Sequence, residues 1–152
     1  MNAIDLLKKQ HKEVKALFKK VEKTEDGRER RQLMDKIATA LEGHTTIEEE
    51  IFYPAVQELE TKKAEEMVNE AFEEHHVVKL VLAELPKVDP AGDRFEAKMT
   101  VLSELVEHHA DEEEKEMFKL AKKIGDDELE ELGARMMARF EAVTGQGRRR
   151  AA

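Results

Sequence analysis

Four histidines, His11, His44, His75 and His109, recur at near-equal intervals, and each sits where a helix should carry a core residue. Around His11 the apolar neighbours are Leu7, Val14, Leu17, Phe18 and Val21; around His44 they are Ile37, Leu41, Ile51 and Phe52. His75 stands among Val68, Ala71, Phe72, Val78, Val81 and Leu82, and His109 among Leu102, Leu105, Val106 and Met117. Offsets of three, four and seven residues put each imidazole on the apolar stripe of its own amphipathic helix. The pattern is also duplicated. His11 is followed 33 residues later by His44, and His75 is followed 34 residues later by His109. Each second histidine leads a His-x-x-x-Glu spacing, His44 with Glu48 and His109 with Glu113, and Tyr53 and Phe118 lie nine residues past those histidines.

The chain breakers complete the constraint. The midpoints between successive histidines fall beside Gly27, beside Thr61 and on Gly92. In antiparallel helices of equal rise, residues equidistant from a turn share one height. The sequence therefore predicts an all-α, up-down-up-down antiparallel four-helix bundle with its four histidines in one cross-section. The expected helices cover 2–24, 28–59, 62–85 and 90–123. Thr61 would cap the third, Pro90 would stand in the first turn of the fourth, and Pro54 would kink or end the second. Gly125, followed by Asp126 and Asp127, marks a stop and a restart. An additional C-terminal helix over 127–143, amphipathic through Leu129, Leu132, Met136, Met137 and Phe140, would pack on the bundle or mediate association. The expected organisation is a bundle over 1–123, then a C-terminal helix and a disordered basic tail over 124–152, ending in Arg148, Arg149 and Arg150.

Composition agrees and removes several function classes. Of 152 residues, 40% are hydrophobic and 40% charged, a balance that suits long amphipathic helices. With no cysteine there are no disulfides and no thiol chemistry, and a reducing cytoplasm is the expected location. No apolar run approaches the ~20 residues that span a bilayer, so no membrane partner is expected. A net charge of −9 argues against nucleic-acid binding. No glycine-rich phosphate loop is present, so no nucleotide cofactor is expected. Nothing in the pattern specifies an oligomeric state.

Glu48 and Glu113 lie one turn, ~6 Å, from their histidines and on the same face. Six polar side chains thus meet inside an apolar bundle, where each unpaired group loses several kcal/mol of hydration. Divalent cations remove that cost. His11 with His44 would serve one ion and His75 with His109 a second, with Glu48 and Glu113 bridging; iron, manganese and zinc all accept such ligands. Open positions on a redox-capable pair would receive a small diatomic or peroxide ligand. The neighbouring acids Glu49, Glu50 and Asp111 through Glu114 read as solvated faces, Glu113 excepted. His76 falls off the apolar stripe. His108 with Glu112 repeats the ligand spacing next door, but His109 with Glu113 matches His44 better in its apolar neighbours. Tyr53, the sole tyrosine, reads as core packing rather than a redox or hydrogen-bonding group, and the methionines read as core filler.

The series His11, His44-TTI-Glu48, His75, His109-ADE-Glu113 resembles the hemerythrin-like HHE cation-binding domain over residues 1–122. The resemblance implies a four-helix bundle with a non-haem di-iron centre, bridged by two carboxylates and a solvent oxygen. It also implies dioxygen binding, oxygen or iron sensing, or handling of peroxide or nitric oxide. The oxygen-carrying members have a fifth histidine four residues after the third-helix ligand, where this chain has Lys79. They use an aspartate five residues after the last histidine, where this chain has Glu114. These departures favour turnover or sensing over carriage. A non-catalytic, metal-responsive interaction module is the alternative reading.

Overall fold

The computed structural model describes residues 1–145, and among them every regular element is helical. The elements are α1 (Ala3–Glu22), α2 (Gly27–Ile47), α3 (Tyr53–Gln57), α4 (Lys62–Glu84), α5 (Asp93–Glu112), α6 (Phe118–Ala121) and α7 (Asp126–Thr144). The arginine run of the expected tail lies outside the described residues. Local chemistry sets most boundaries. Asn2, Asp26 and Thr61 each accept a hydrogen bond from a backbone N–H three residues on, at 2.8, 3.1 and 3.1 Å, and so start α1, α2 and α4. No helix among the described residues is long and apolar enough to cross a membrane.

Two expectations are corrected. Pro90 does not enter the fourth long helix. Asp89 closes a turn around it, its side chain accepting from Ala91 N–H at 3.0 Å and its carbonyl from Gly92 N–H at 3.0 Å. Gly92 is then the N-cap of α5. Nor does Pro54 simply kink the second long helix. The chain widens into a π-helical turn over Glu48–Phe52 before α3, and Tyr53 N–H bonds to the Glu48 carbonyl five residues back. The same turn recurs over Glu113–Met117, where Phe118 N–H bonds to the Glu113 carbonyl. That second segment contains no proline, so the π-turn belongs to the repeated motif and not to Pro54.

The π-turns change which residues face inward. In an unbroken α-helix, a residue nine positions past a histidine points about 180° away from it. One extra residue in the turn makes that position equivalent to about the eighth, roughly 80° from the histidine. Tyr53 and Phe118 are consequently buried in the interior, at 0% and 1% exposure.

α1 packs on α2, α5 and α7, and α4 packs on α3 and α5. The apolar interior falls into two clusters. One gathers Leu7, Ile47, Phe52, Phe118 and Met136; the other gathers Val14, Phe18, Ile37, Phe95 and Leu102. Between them, from Leu7 on one side of His11 to Val14 on the other, lies a buried polar layer. Met34, Met99, Met117 and Met136 fill the clusters, as their apolar setting predicts. α7 inserts Leu129, Leu132 and Met136 into the first cluster, so it packs against the other helices. Buried Arg30 ties the α1–α2 turn to the α4–α5 loop, donating to the carbonyls of Thr24 at 2.7 Å and Pro90 at 3.0 Å and to Glu96 at 3.0 Å.

Candidate metal centre

The layer is assembled from matched positions in the two halves of the chain. His11 and His75 come from the middle turns of α1 and α4; His44 and His109 come from the last turns of α2 and α5. Glu48 and Glu113 open the two π-turns. All six are buried. Every histidine turns Nε2 inward. His11 Nε2 is 3.1 Å from Glu113 Oε1, His44 Nε2 3.2 Å from Glu48 Oε1, and His75 Nε2 3.0 Å from the same oxygen. His109 Nε2 lies 3.3 Å from Glu113 Oε2. The rings lie in pairs, His11 with His44 at 4.9 Å and His75 with His109 at 4.8 Å between centroids. Two compact donor groups result, His11, His44, Glu48 and Glu113 in one and Glu48, His75 and His109 in the other.

The outward nitrogens show a second pattern that sequence reasoning missed. His11 Nδ1 meets Glu114 at 2.8 Å, His44 Nδ1 meets Gln10 at 2.7 Å, His75 Nδ1 meets Glu49 at 2.8 Å and His109 Nδ1 meets Glu74 at 2.7 Å. Each partner is an acceptor oxygen, so each Nδ1 donates, and in the neutral imidazole the inward Nε2 is the nitrogen that would offer its lone pair to a cation. The signal was in the duplication. Gln10 and Glu74 both precede the first histidine of a half and serve the second. Glu49 and Glu114 both follow the inward glutamate and serve the first histidine of the other half. They are therefore not solvated faces, although one turn of amphipathic pattern cannot distinguish a solvated acid from one at the rim of a buried site. Lys79 bonds Glu49 at 2.8 Å, the same oxygen that holds His75, and so braces the layer from outside. His108 is exposed and pairs with Glu112 at 3.3 Å and Glu74 at 3.7 Å, away from the layer.

Tyr53 also departs from expectation. Its hydroxyl donates to Glu113 Oε2 at 2.6 Å and lies 3.1 Å from His75 Nε2 and 3.2 Å from His109 Nε2. The π-turn that brings it there is invisible to simple periodicity. At the matching position of the other half, Phe118 stacks on His11 at 6.1 Å with a 5° interplanar angle and adds no polar atom.

The electrostatics describe a site that holds protons in place of cations. Burial disfavours imidazolium at His11, His75 and His109, yet the facing carboxylates outweigh it and raise all three pKa values, that of His109 well above the usual histidine range. Burial likewise disfavours the Glu48 anion, but His44, Glu113 and His109 hold its carboxyl well below the usual range. Burial and the charges of Glu113 and Glu48 push the Tyr53 phenol well up, so it keeps its proton. Two buried atoms, His44 Nε2 and Glu48 Oε2, have no hydrogen-bond partner among the described residues. His75 Nε2 and His109 Nε2 face each other at 3.2 Å, an arrangement that needs a proton or a cation between them. Above the layer, the four rings floor a cavity of about 40 Å³ with apolar walls that include Val14, Leu41 and Phe140.

Compared with known proteins, residues 2–121 match the family described as the hemerythrin HHE cation binding domain. The uncharacterized protein Rv2633c of Mycobacterium tuberculosis (strain H37Rv) is 35% identical over 148 residues, which cover 95% of this chain and 89% of that one. The crystal structure of a hemerythrin HHE cation binding domain-containing protein, the Rv2633c homolog from Mycobacterium kansasii, superposes with a TM-score of 0.83 at 32% identity. That alignment covers 96% of this chain and 89% of the other. A DNA nickase of Nostoc sp. is 25% identical over 118 residues, 78% of this chain but 33% of that protein.

Proposed function

The chain belongs to the hemerythrin HHE cation-binding domain family, and on that premise we propose that it is a non-haem di-iron protein. In this reading an up-down-up-down four-helix bundle binds, senses or reduces a small oxidant (dioxygen, peroxide or nitric oxide) at a centre of four histidines and two glutamates. His11 and His44 would hold one ion and His75 and His109 the other, with Glu48 and Glu113 reaching both. The observation that carries the reading is the pair of orphaned buried atoms, His44 Nε2 and Glu48 Oε2. Each buried polar atom without a partner costs about 1–3 kcal/mol, and a cation satisfies both at once. Imidazole and carboxylate are the donors that suit iron, manganese and zinc.

When bound, iron supplies electrons to an oxidant or accepts them back. The chain's own residues do the rest. Glu114, Gln10, Glu49 and Glu74 fix the four imidazoles in one tautomer and orientation, which sharpens their donor geometry. Tyr53 holds a proton on its hydroxyl and delivers it as a hydrogen bond to Glu113 Oε2. The apolar clusters above and below keep bulk water from the layer. Elemental analysis of freshly purified protein, paired with the optical spectrum of the reduced form on exposure to dioxygen, peroxide and nitric oxide, tests the proposal. About two iron ions per chain and new charge-transfer absorption support it. Colourless protein holding zinc alone overturns it.

A further inference from the structure

The cavity above the histidines and a groove on the outer surface share one partition. Glu13, Ala40 and Phe140 line both. On the inner side are the imidazoles; on the outer side the groove runs past Leu17, Lys36 and Thr39. Of the three shared residues, Glu13 is exposed and pairs with Lys9 at 3.9 Å, Ala40 is small, and Phe140 is the one large apolar side chain; it comes from α7, beyond the residues 2–121 that match the family. The ring lies against the bare backbone of Gly43, the residue before His44. A Cβ at Gly43 would stand 2.6 Å from Phe140 Cε2 and 2.7 Å from Thr144 Cγ2. Only glycine allows that approach.

The fastening of α7 is graded. Leu129, Leu132 and Met136 are buried in the first apolar cluster, whereas Phe140 is only half-buried and follows them by a turn. The ring therefore sits at the looser end of a well-anchored helix. A different opening, which shares only His109 with the cavity, reaches His109 and Glu113, but Glu70, Glu74, Glu112 and Glu116 line it. Such a mouth suits cations and disfavours anions and apolar molecules.

We propose that Phe140 is the specificity-determining gate of this protein, a ring that admits uncharged oxidants of a few atoms from the surface groove and excludes larger molecules. The proposal rests on the small-oxidant reading above and adds the route and its selecting residue. The apolar walls reject charged species, which would have to shed their hydration to enter. The ring limits size, because it stands between the cavity and the groove.

The chain carries its own reporter. Tyr53 is the only tyrosine, no tryptophan is present, and its hydroxyl touches His75 and His109 beneath the cavity. Its fluorescence therefore reads access to the site without any iron. The full chain, metal-free or filled with colourless zinc, is titrated with dioxygen as the small quencher and acrylamide as the large one. In the wild type, dioxygen quenches and acrylamide does not. Phe140→Ala raises acrylamide quenching about tenfold, the factor expected when the contacts of one half-buried ring are lost, and Phe140→Leu raises it less. Met136→Ala, which weakens α7 packing but keeps the ring, stays closed. The gate is overturned if acrylamide quenches the wild type freely, if Phe140→Ala and Phe140→Leu leave its quenching unchanged, or if Met136→Ala opens the site equally. Should Phe140→Ala fail to fold, Phe140→Leu decides. Because no iron enters the measurement, the gate and the di-iron reading fail separately.

Discussion

Glu114, Glu49 and Glu74 touch no inward nitrogen, yet each sets which nitrogen of its histidine carries the proton. Replacing Glu49 or Glu114 with glutamine keeps size but weakens the acceptor, and metal affinity should fall about 10- to 100-fold. Competition with a chelator of known affinity measures this; unchanged affinity would show that backbone position alone orients the rings. Tyr53→Phe removes one oxygen and leaves Glu113 Oε2 without its 2.6 Å donor. The metal-free protein should lose about 1–3 kcal/mol by thermal denaturation, while bound metal measured by elemental analysis stays near the wild-type content. At this scale the inward placing of the four histidines, Glu48 and Glu113 was legible, because helical spacing from each histidine identifies it; that of Tyr53 was not. The outward partners were not, because a glutamate beside a buried site and a glutamate in water occupy the same place in an amphipathic pattern. Only comparing the two halves residue by residue, Gln10 with Glu74 and Glu49 with Glu114, separates the two cases.

The long helices and their turns followed from apolar periodicity and from a few capping residues such as Asp26 and Thr61. What spacing could not show was the doubled π-turn. A π-turn leaves no composition of its own, and its effect is to make a residue nine positions along face inward when the α period says outward. Deleting Glu50, an exposed residue of the first π-turn, should return that turn to α register. Tyr53 would then stand eight positions past His44, so that it, Phe52 and Val56, all fully buried, would keep their inward face. The variant should stay within about 1 kcal/mol of wild type in denaturant unfolding, and a loss of about 3–5 kcal/mol would show that the π-turn holds the interior by more than the register it sets. Gly43→Ala probes the other close approach, where α7 meets α2. It should cost about 1–3 kcal/mol by overpacking, unless Phe140 swings clear, in which case stability holds and acrylamide reaches Tyr53.

For the molecule as a whole, the polar layer couples stability to pH in opposite senses with and without metal. In the metal-free protein, His11, His75 and His109 have folded pKa values above the ordinary 6.5. Their contribution is complete below that value and is lost as pH rises through the folded values. Glu48 behaves inversely. Its folded pKa lies below 4.5, so its contribution is present above that value and is lost as pH falls through the folded one. The metal-free protein should thus melt highest between about pH 4.5 and 6.5. Cations displace the protons, so the metal-filled protein should melt lower as acid returns them. The two melting curves should slope in opposite directions between about pH 6 and 8, and parallel slopes would mean that the layer does not exchange protons for metal. The overall arrangement was readable because one repeated spacing carried both the fold and the site. The place of α7 was not, since its amphipathic face is equally compatible with covering this chain or another. The two halves of the repeat part company at Gln10 against Glu74 and at one matched aromatic pair, a phenol beside His75 and His109 and a plain benzene ring beside His11. Two iron nuclei held there would feel unequal field gradients. Frozen samples enriched in the Mössbauer isotope should show a pair of quadrupole doublets of equal area instead of one.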